Sequence, residues 1–345
     1  MNRKTMHGGA FARVLAMVVL LIMAAGLAYG AYDYNRFSHA SLQVTATGQS
    51  IDIARGTSFR NIVTQLQQGR FSEANGLYWR LLAEQMQVAG KLHAGEYALE
   101  AGITPRQLLA NMAAGKVMQR NFTIVDGWTF VELRQALATA DKLKHESAGL
   151  DDATLMQKIG AGGEVPEGRF LPETYAYVKG DSDLDILKRA HGAMTKALDV
   201  LWPLRDKDLP LATPYDALIL ASIVEKETGR ADERPRIAGV FVRRLESHMM
   251  LQTDPTVIYG MGAQYTGNIH KTDLTTDTPY NTYTRAGLPP TPIALPGKPA
   301  LEAALHPAAG NDLYFVARGD GGHVFASTLE AHNRNVDCYQ RKHCQ

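Results

Sequence analysis

The stretch TPYDALILASIVEKETGR, Thr213 to Arg230, organises this chain. Thr213-Pro214-Tyr215-Asp216 has the composition of a helix start. The threonine can cap, proline suits the first helical position, and an acidic residue suits the positive end of the helix. Gly229 has the form of a stop. The pattern predicts a helix from about Pro214 to Thr228. Positions three, four and seven apart share a helix face, so Leu218, Ala221, Ser222 and Glu225 form one stripe, apolar above and tipped by a carboxylate. Glu227 lies about 200° further round. On this reading only Glu225 extends the apolar face. Such a carboxylate is either paired structurally or tuned as an acid, because burial disfavours its charged form. Arg230, Arg234 and Arg236 could supply the pairing.

Downstream, RLESHMMLQTDPTVIYGMG leaves an amphipathic helix (Ile237, Val240, Phe241, Leu245) for a polar loop carrying Gln252 and Asp254. Asp254 before Pro255 has the setting of a turn residue more than of a second acid. In PYNTYTRAGLPPTPIALPG, Tyr280, Asn281 and Tyr283 precede an irregular Pro/Gly-rich segment. Amide, hydroxyl and aromatic groups clustered in loops suit a polyol ligand, which needs hydrogen bonds at its hydroxyls and flat faces for its rings. Ordinary half-buried packing is the alternative for both tyrosines.

Upstream, the chain predicts strand–turn–helix units: a strand at Ser41–Val44 and at Ile51–Ile53, a helix capped by Thr57 or Ser58, and a helix in GLYWRLLAEQM. A strand near Tyr97 follows, then a helix capped by Thr104 with Pro105 first and another after Thr129. Residues 142–164 read as loop and short helix, and a helical pattern covers Leu184–Leu204. Small α+β modules, not one large parallel sheet, are the expected fold class.

Near the N-terminus, Arg3, Lys4 and Arg13 precede the uncharged run VLAMVVLLIMAAGLAYGAY, Val14 to Tyr32. A spanning helix needs about 20 apolar residues, whereas the apolar part of a signal peptide has about 7–15. The run therefore reads as an anchor, with residues 1–13 held in the cytoplasm and the body exported. Tyr29, Tyr32 and Tyr34 are placed for an interfacial belt. A cleaved signal peptide with a loose site at Ala28-Tyr29-Gly30 is the alternative.

The 345 residues, 45% of them hydrophobic, can build two domains and exclude a disordered chain. A formal net charge of +1 gives no electrostatic case for nucleic acid. The chain has no P-loop, HExxH, GxSxG or paired CxxC. Its two cysteines, in CYQRKHC from Cys338 to Cys344, can be structural or free, and an exported chain permits a small terminal disulfide.

Taken in order, LASIVEKET, RLESHMMLQTDPTVIYGMG, PYNTYTRAGLPPTPIALPG, HPA, LYFVARGDGGHVFA and HN resemble the motifs of the endolytic murein transglycosylases, the YceG-like family. EGRFLPETY resembles a further family motif, and IVDGWT departs from a more usual Pro-Glu-Gly form without bearing on the chemistry. The resemblance runs from about Leu42 to Tyr339. It implies a single-pass bacterial inner-membrane protein with an extracytoplasmic body. The implied domains are an anchor at 14–32, a LysM-like α+β module at 42–117, a connecting α+β region at 118–210 and an α+β catalytic domain at 211–345. It further implies endolytic cleavage of MurNAc-β-1,4-GlcNAc bonds in peptidoglycan to 1,6-anhydro-MurNAc ends. The cleavage would end nascent strand elongation near peptidoglycan synthases, with no metal or cofactor. The family's catalytic glutamate falls on Glu225. Glu227, Gln252, Asp254, Tyr280, Asn281 and Tyr283 are candidate substrate-binding residues. A non-catalytic peptidoglycan-binding scaffold and a hydrolytic muramidase are the rival readings.

Overall fold

The structure is a computed structural model that describes residues 8–341. Residues 1–7, including Arg3 and Lys4, lie outside the described residues, as does Cys344. The chain divides into two compact units, Met1–Gln119 and Arg120–Gln345.

The first unit begins with helix α1 (Gly8–His39), followed by β1 (Ser50–Ile53), α2 (Phe59–Gln68), α3 (Gly76–Gln85), β2 (Gly95–Ala98) and α4 (Pro105–Ala113). Among the described residues α1 contains the one segment long and apolar enough to cross a membrane, Phe11–His39, whose most apolar 18 residues have a mean hydropathy of 2.4. The helix runs past the expected end at Tyr32. Its last turns carry aromatic residues that pack onto α3: Phe37 lies 5.2 Å from Trp79 and Tyr34 lies 5.8 Å from Tyr78, between ring centroids. Tyr34 donates its hydroxyl to Gln85, and Tyr78 donates to Asp33. Tyr34 is thus a packing residue.

Strands β1 and β2 pair antiparallel, with Ile51 opposite Tyr97. Ile51, Ile53, Ile62, Leu66, Trp79, Leu82, Leu108 and Met112 form the core beneath them. The capping signals read from sequence hold: Ser58 caps α2, and Thr104 and Gln107 form a reciprocal capping box on α4. The strand expected at Ser41–Val44 does not form. Leu42 is buried there, but the backbone bonds go to irregular neighbours, the Leu42 amide to the Ile103 carbonyl and the Gln43 amide to the Phe71 carbonyl, and no ladder continues.

The second unit contains β3 (Gln119–Thr123) from its second residue on, α5 (Phe130–Ala138), α6 (Asp152–Ile159), β4 (Thr174–Val178) and α7 (Asp183–Leu201). It continues through α8 (Pro214–Glu227), α9 (Arg234–Glu246), α10 (Asp254–Met261) and α11 (Lys271–Thr275). It ends with α12 (Lys298–Leu305), β5 (Tyr314–Ala317), β6 (His323–Ala326) and α13 (Leu329–Tyr339). The expected connecting region, from Arg120 on, shares this unit with residues 211–345. Strands β3 and β4 pair, and β5 and β6 form a separate antiparallel hairpin.

Helix α8 is the axle of the second unit. Thr213 and Asp216 form its capping box, as its composition predicts. Eight consecutive residues, Ala217 to Val224, are buried, so the helix is enclosed on every side by α9, α12 and the segment around Ile293. Ser222, the one polar residue in that run, is satisfied twice. Its hydroxyl donates to the Ile219 carbonyl at 2.7 Å and accepts the Ile293 amide at 3.0 Å. The helix ends on Thr228 in an extended conformation; Gly229 does not adopt a left-handed cap.

Candidate active site

Complete enclosure of α8 changes the reading of its two glutamates. When every face is apolar, a residue about 200° from the Leu218 stripe still leaves a buried surface. Both carboxylates therefore emerge from the core, in different directions and into different company.

Glu225 is enclosed by its neighbours, its side chain only 6% exposed. Oε2 accepts the Gly297 amide at 3.0 Å, and Oε1 faces Arg234 Nη2 at 3.4 Å. Burial pushes its pKa above the ordinary carboxylate range; the Gly297 N–H and Arg234 pull it down, and Asp126 pushes it up again. Asp126 comes from the IVDGWT turn, set aside in the sequence as irrelevant to the chemistry. That turn is held by Gly127 N–H donating to Leu295 and by Leu295 N–H donating to Trp128. A Cβ on Gly297 would collide with Asp126 Oδ1 and lie 3.4 Å from Glu225 Oε2, so the two carboxylates crowd one glycine. Both oxygens of Glu225 are engaged in holding chain segments together.

Glu227 faces a cavity of about 400 Å³. Gln252, Asp254, Tyr283, Arg244, Tyr314, Phe315, His323 and His332 are among its lining residues. Desolvation pushes the Glu227 carboxyl up to about 7. The Thr253 hydroxyl opposes this by donating to Oε1, Asp254 reinforces it, and His323 and Arg244 oppose it. A carboxyl at that value is about half protonated at neutral pH, where an ordinary one would be roughly 0.2% protonated. Arg244 is buried and spans the wall, donating to the Leu251 and Leu313 carbonyls at 2.7 Å each. Tyr283 donates to Asp254 at 2.6 Å. Glu233 holds His323 twice, through the backbone amide at 3.0 Å and ring Nδ1 at 2.7 Å. The Tyr314 ring stacks on His332 at 5.2 Å.

Four of the six expected substrate-binding residues, Glu227, Gln252, Asp254 and Tyr283, thus converge on one cavity. Tyr280 and Asn281 do not line it. Tyr280 packs edge-on to Tyr259 at 5.0 Å and bonds Thr291. Asn281 is buried and clamps its loop, donating to the Asp273, Leu274 and Thr276 carbonyls and accepting the Tyr283 amide. Its amide is spent on scaffold. Asp254, expected in a turn, is the first residue of α10. The sequence reading missed Arg244, Tyr314, His323 and His332 as site residues, although all four lie within motifs it quoted. Cys338, on the helix that carries His332, is disulfide-bonded.

A model of the YceG-like family matches residues 51–338. The endolytic murein transglycosylase of Bacillus subtilis is 32% identical over 270 residues, covering 73% of this chain and 74% of that protein. An endolytic murein transglycosylase of Streptococcus pneumoniae is 27% identical over 93% of this chain, which spans 63% of the streptococcal protein. The crystal structure of a YceG-like protein from Listeria monocytogenes superposes with a TM-score of 0.52 at 29% identity, covering 84% of this chain and 99% of that one.

Proposed function

The chain belongs to the YceG-like family, and from that membership we propose that it is a peptidoglycan lytic transglycosylase, a lyase, whose proton donor is Glu227. The observation that carries the assignment is the position of Glu227. It is a carboxyl raised to about 7 on a cavity walled by aromatic rings and polar side chains. In the proposed reaction the Glu227 carboxyl gives its proton to the glycosidic oxygen between MurNAc and GlcNAc, and the C1–O bond breaks. The C6 hydroxyl of the same MurNAc attacks C1, and its proton passes to the Glu227 carboxylate. The product ends in 1,6-anhydro-MurNAc and the enzyme is restored. The nucleophile belongs to the substrate, so a second protein carboxylate is not required. Tyr283 and Phe315 offer aromatic surface to sugar rings. Gln252 and Asp254 offer hydrogen bonds to hydroxyls.

A second reading keeps the proton donor at Glu225, where the sequence motif put it. It is favoured by burial and, less strongly, by Asp126, which keep the Glu225 carboxyl above the ordinary range. Against it stand the Arg234 pairing, which favours the ionised form, and the engagement of both oxygens. The apolar helix α1 supports a single-pass anchor with the body outside the cytoplasm, and the small sheet and helices of the first unit support a LysM-like reading of residues 42–117. Work beside peptidoglycan synthases follows from the same reading. Mass spectrometry of muropeptides released from sacculi tests the chemistry. Anhydro ends lost in Glu227→Gln support it; reducing MurNAc ends would indicate a hydrolytic muramidase, and no cleavage at all a binding scaffold.

A further inference from the structure

Three features of the chain around Thr253 are costly unless they place a group. Gln252 has a left-handed backbone at φ 49, a conformation unfavourable for a residue with a Cβ. Thr253 stands at the N-cap of α10, where a threonine oxygen ordinarily accepts a helix amide, yet it makes no such bond. Its hydroxyl turns away from the helix and donates to Glu227 Oε1.

The backbone at Thr253 is held from behind by two buried threonines. Thr282 Oγ1 accepts the Thr253 amide at 3.1 Å, and Thr256 Oγ1 donates to the Thr253 carbonyl at 2.8 Å. Those two hydroxyls bond each other at 2.9 Å. The Gln252 amide donates to the Thr282 carbonyl at 3.1 Å. Thr253, Thr256 and Thr282 are each no more than 2% exposed. One hydroxyl is thus fixed in direction by a local hydrogen-bond network at the expense of a helix cap.

We infer that Thr253 is a positioning residue for the proton that Glu227 delivers. Its hydroxyl occupies Oε1, so the transferable proton resides on Oε2, which takes no hydrogen bond from a described residue. After transfer, the same hydroxyl stabilises the carboxylate left behind. The other groups facing Glu227 are Asp254 from α10, Arg244 from α9, His323 from β6 and Tyr283 from the loop before the Pro/Gly-rich segment. None of the hydrogen bonds these four make among the described residues reaches the Glu227 carboxyl, which leaves Thr253 as the group that sets its rotation.

This inference rests on Glu227 being the donor, so the test begins with Glu227→Gln on soluble glycan strands. If that variant keeps full activity, the functional reading fails and the inference with it. With Glu227→Gln inactive, Thr253→Val and Thr253→Ser are compared across pH. Loss of a hydroxyl donor to the charged form raises the carboxyl. The alkaline limb of kcat/KM should therefore move up by about one pH unit in Thr253→Val, with kcat down about 10- to 100-fold and KM little changed. Thr253→Ser should restore both limb and rate. Thr253→Ala gives the same comparison should the valine variant fold poorly. An unmoved or lowered limb, or a serine variant no better than valine, would overturn the positioning role while leaving Glu227 as donor.

Discussion

Replacing each of the two glutamates of α8 by glutamine separates tuning from scaffolding. At pH 7 a carboxyl near 7 is about half protonated, against roughly 0.2% at the ordinary value, so the surroundings of Glu227 raise the available acid about 200-fold. General acid–base assistance is worth about 10²–10⁴-fold, and one group serving as acid and then base should stand at the upper end. Glu227→Gln keeps the shape and an acceptor for Thr253 but has no transferable proton. It should lose at least about 10³-fold in release of anhydromuropeptides. Glu225→Gln keeps an oxygen for the Gly297 amide and loses only the charge facing Arg234 at 3.4 Å. Its cost should be about 1 kcal/mol of stability, with activity within about fivefold of the parent. The pH dependence has a definite sign. The protonated form is the active one, so activity should be present below about pH 7 and fall above it. The assay is quantitative muropeptide mass spectrometry with thermal melts on both variants. A dead Glu225→Gln beside a nearly active Glu227→Gln, both folded, would refute the reasoning from cavity and charge.

Glu167 is 4% exposed, accepts the Phe130 amide and the Tyr259 hydroxyl, and is pushed by burial to about 7. Its folded form binds the proton more tightly than the unfolded chain, so stability should rise as pH falls from about 8 toward 5, by up to about 3 kcal/mol for this site. Glu167→Gln should flatten that rise, and equal slopes for variant and parent would count against it. Ser222→Ala leaves the Ile293 amide without its acceptor; denaturant melts should show a loss of about 1–3 kcal/mol, and an unchanged midpoint would mean the segment finds another partner. Protease added to spheroplasts should digest the body and leave a membrane-embedded stub; a body recovered free of the membrane would count against the anchor.

Local chemistry was legible in the sequence; convergence was not. The caps at Thr104, Thr129 and Thr213 were readable because a cap is decided by four adjacent residues. The long helix α7 and the strand around Tyr97 were readable from periodicity. The wheel argument singled out Glu225 because it assumed one buried face, whereas burial of α8 depends on what packs around it and extends to Glu227's side as well. The cavity draws walls from α8, α9, β5, β6 and α13, and nothing in the spacing of Arg244, Tyr314, His323 and His332 announces that they meet. Asn281 was chosen for its amide, but an amide at a loop's centre is as useful to its own carbonyls as to a ligand. Asp126 escaped because its importance lies in its nearness to Gly297 and Glu225, far away in sequence.

The aromatic joint between α1 and α3 leaves no swivel between a rod fit to span the bilayer and the unit it carries. A flexible tether sets only how far a body can wander. A continuous helix also sets its azimuth. Each residue added upstream of the joint, within α1, turns the first unit by about 100° and lifts it about 1.5 Å. Two added residues would turn it nearly to the opposite side. Four would return it close to its original bearing about 6 Å higher. The length of α1 therefore encodes a phase as well as a height.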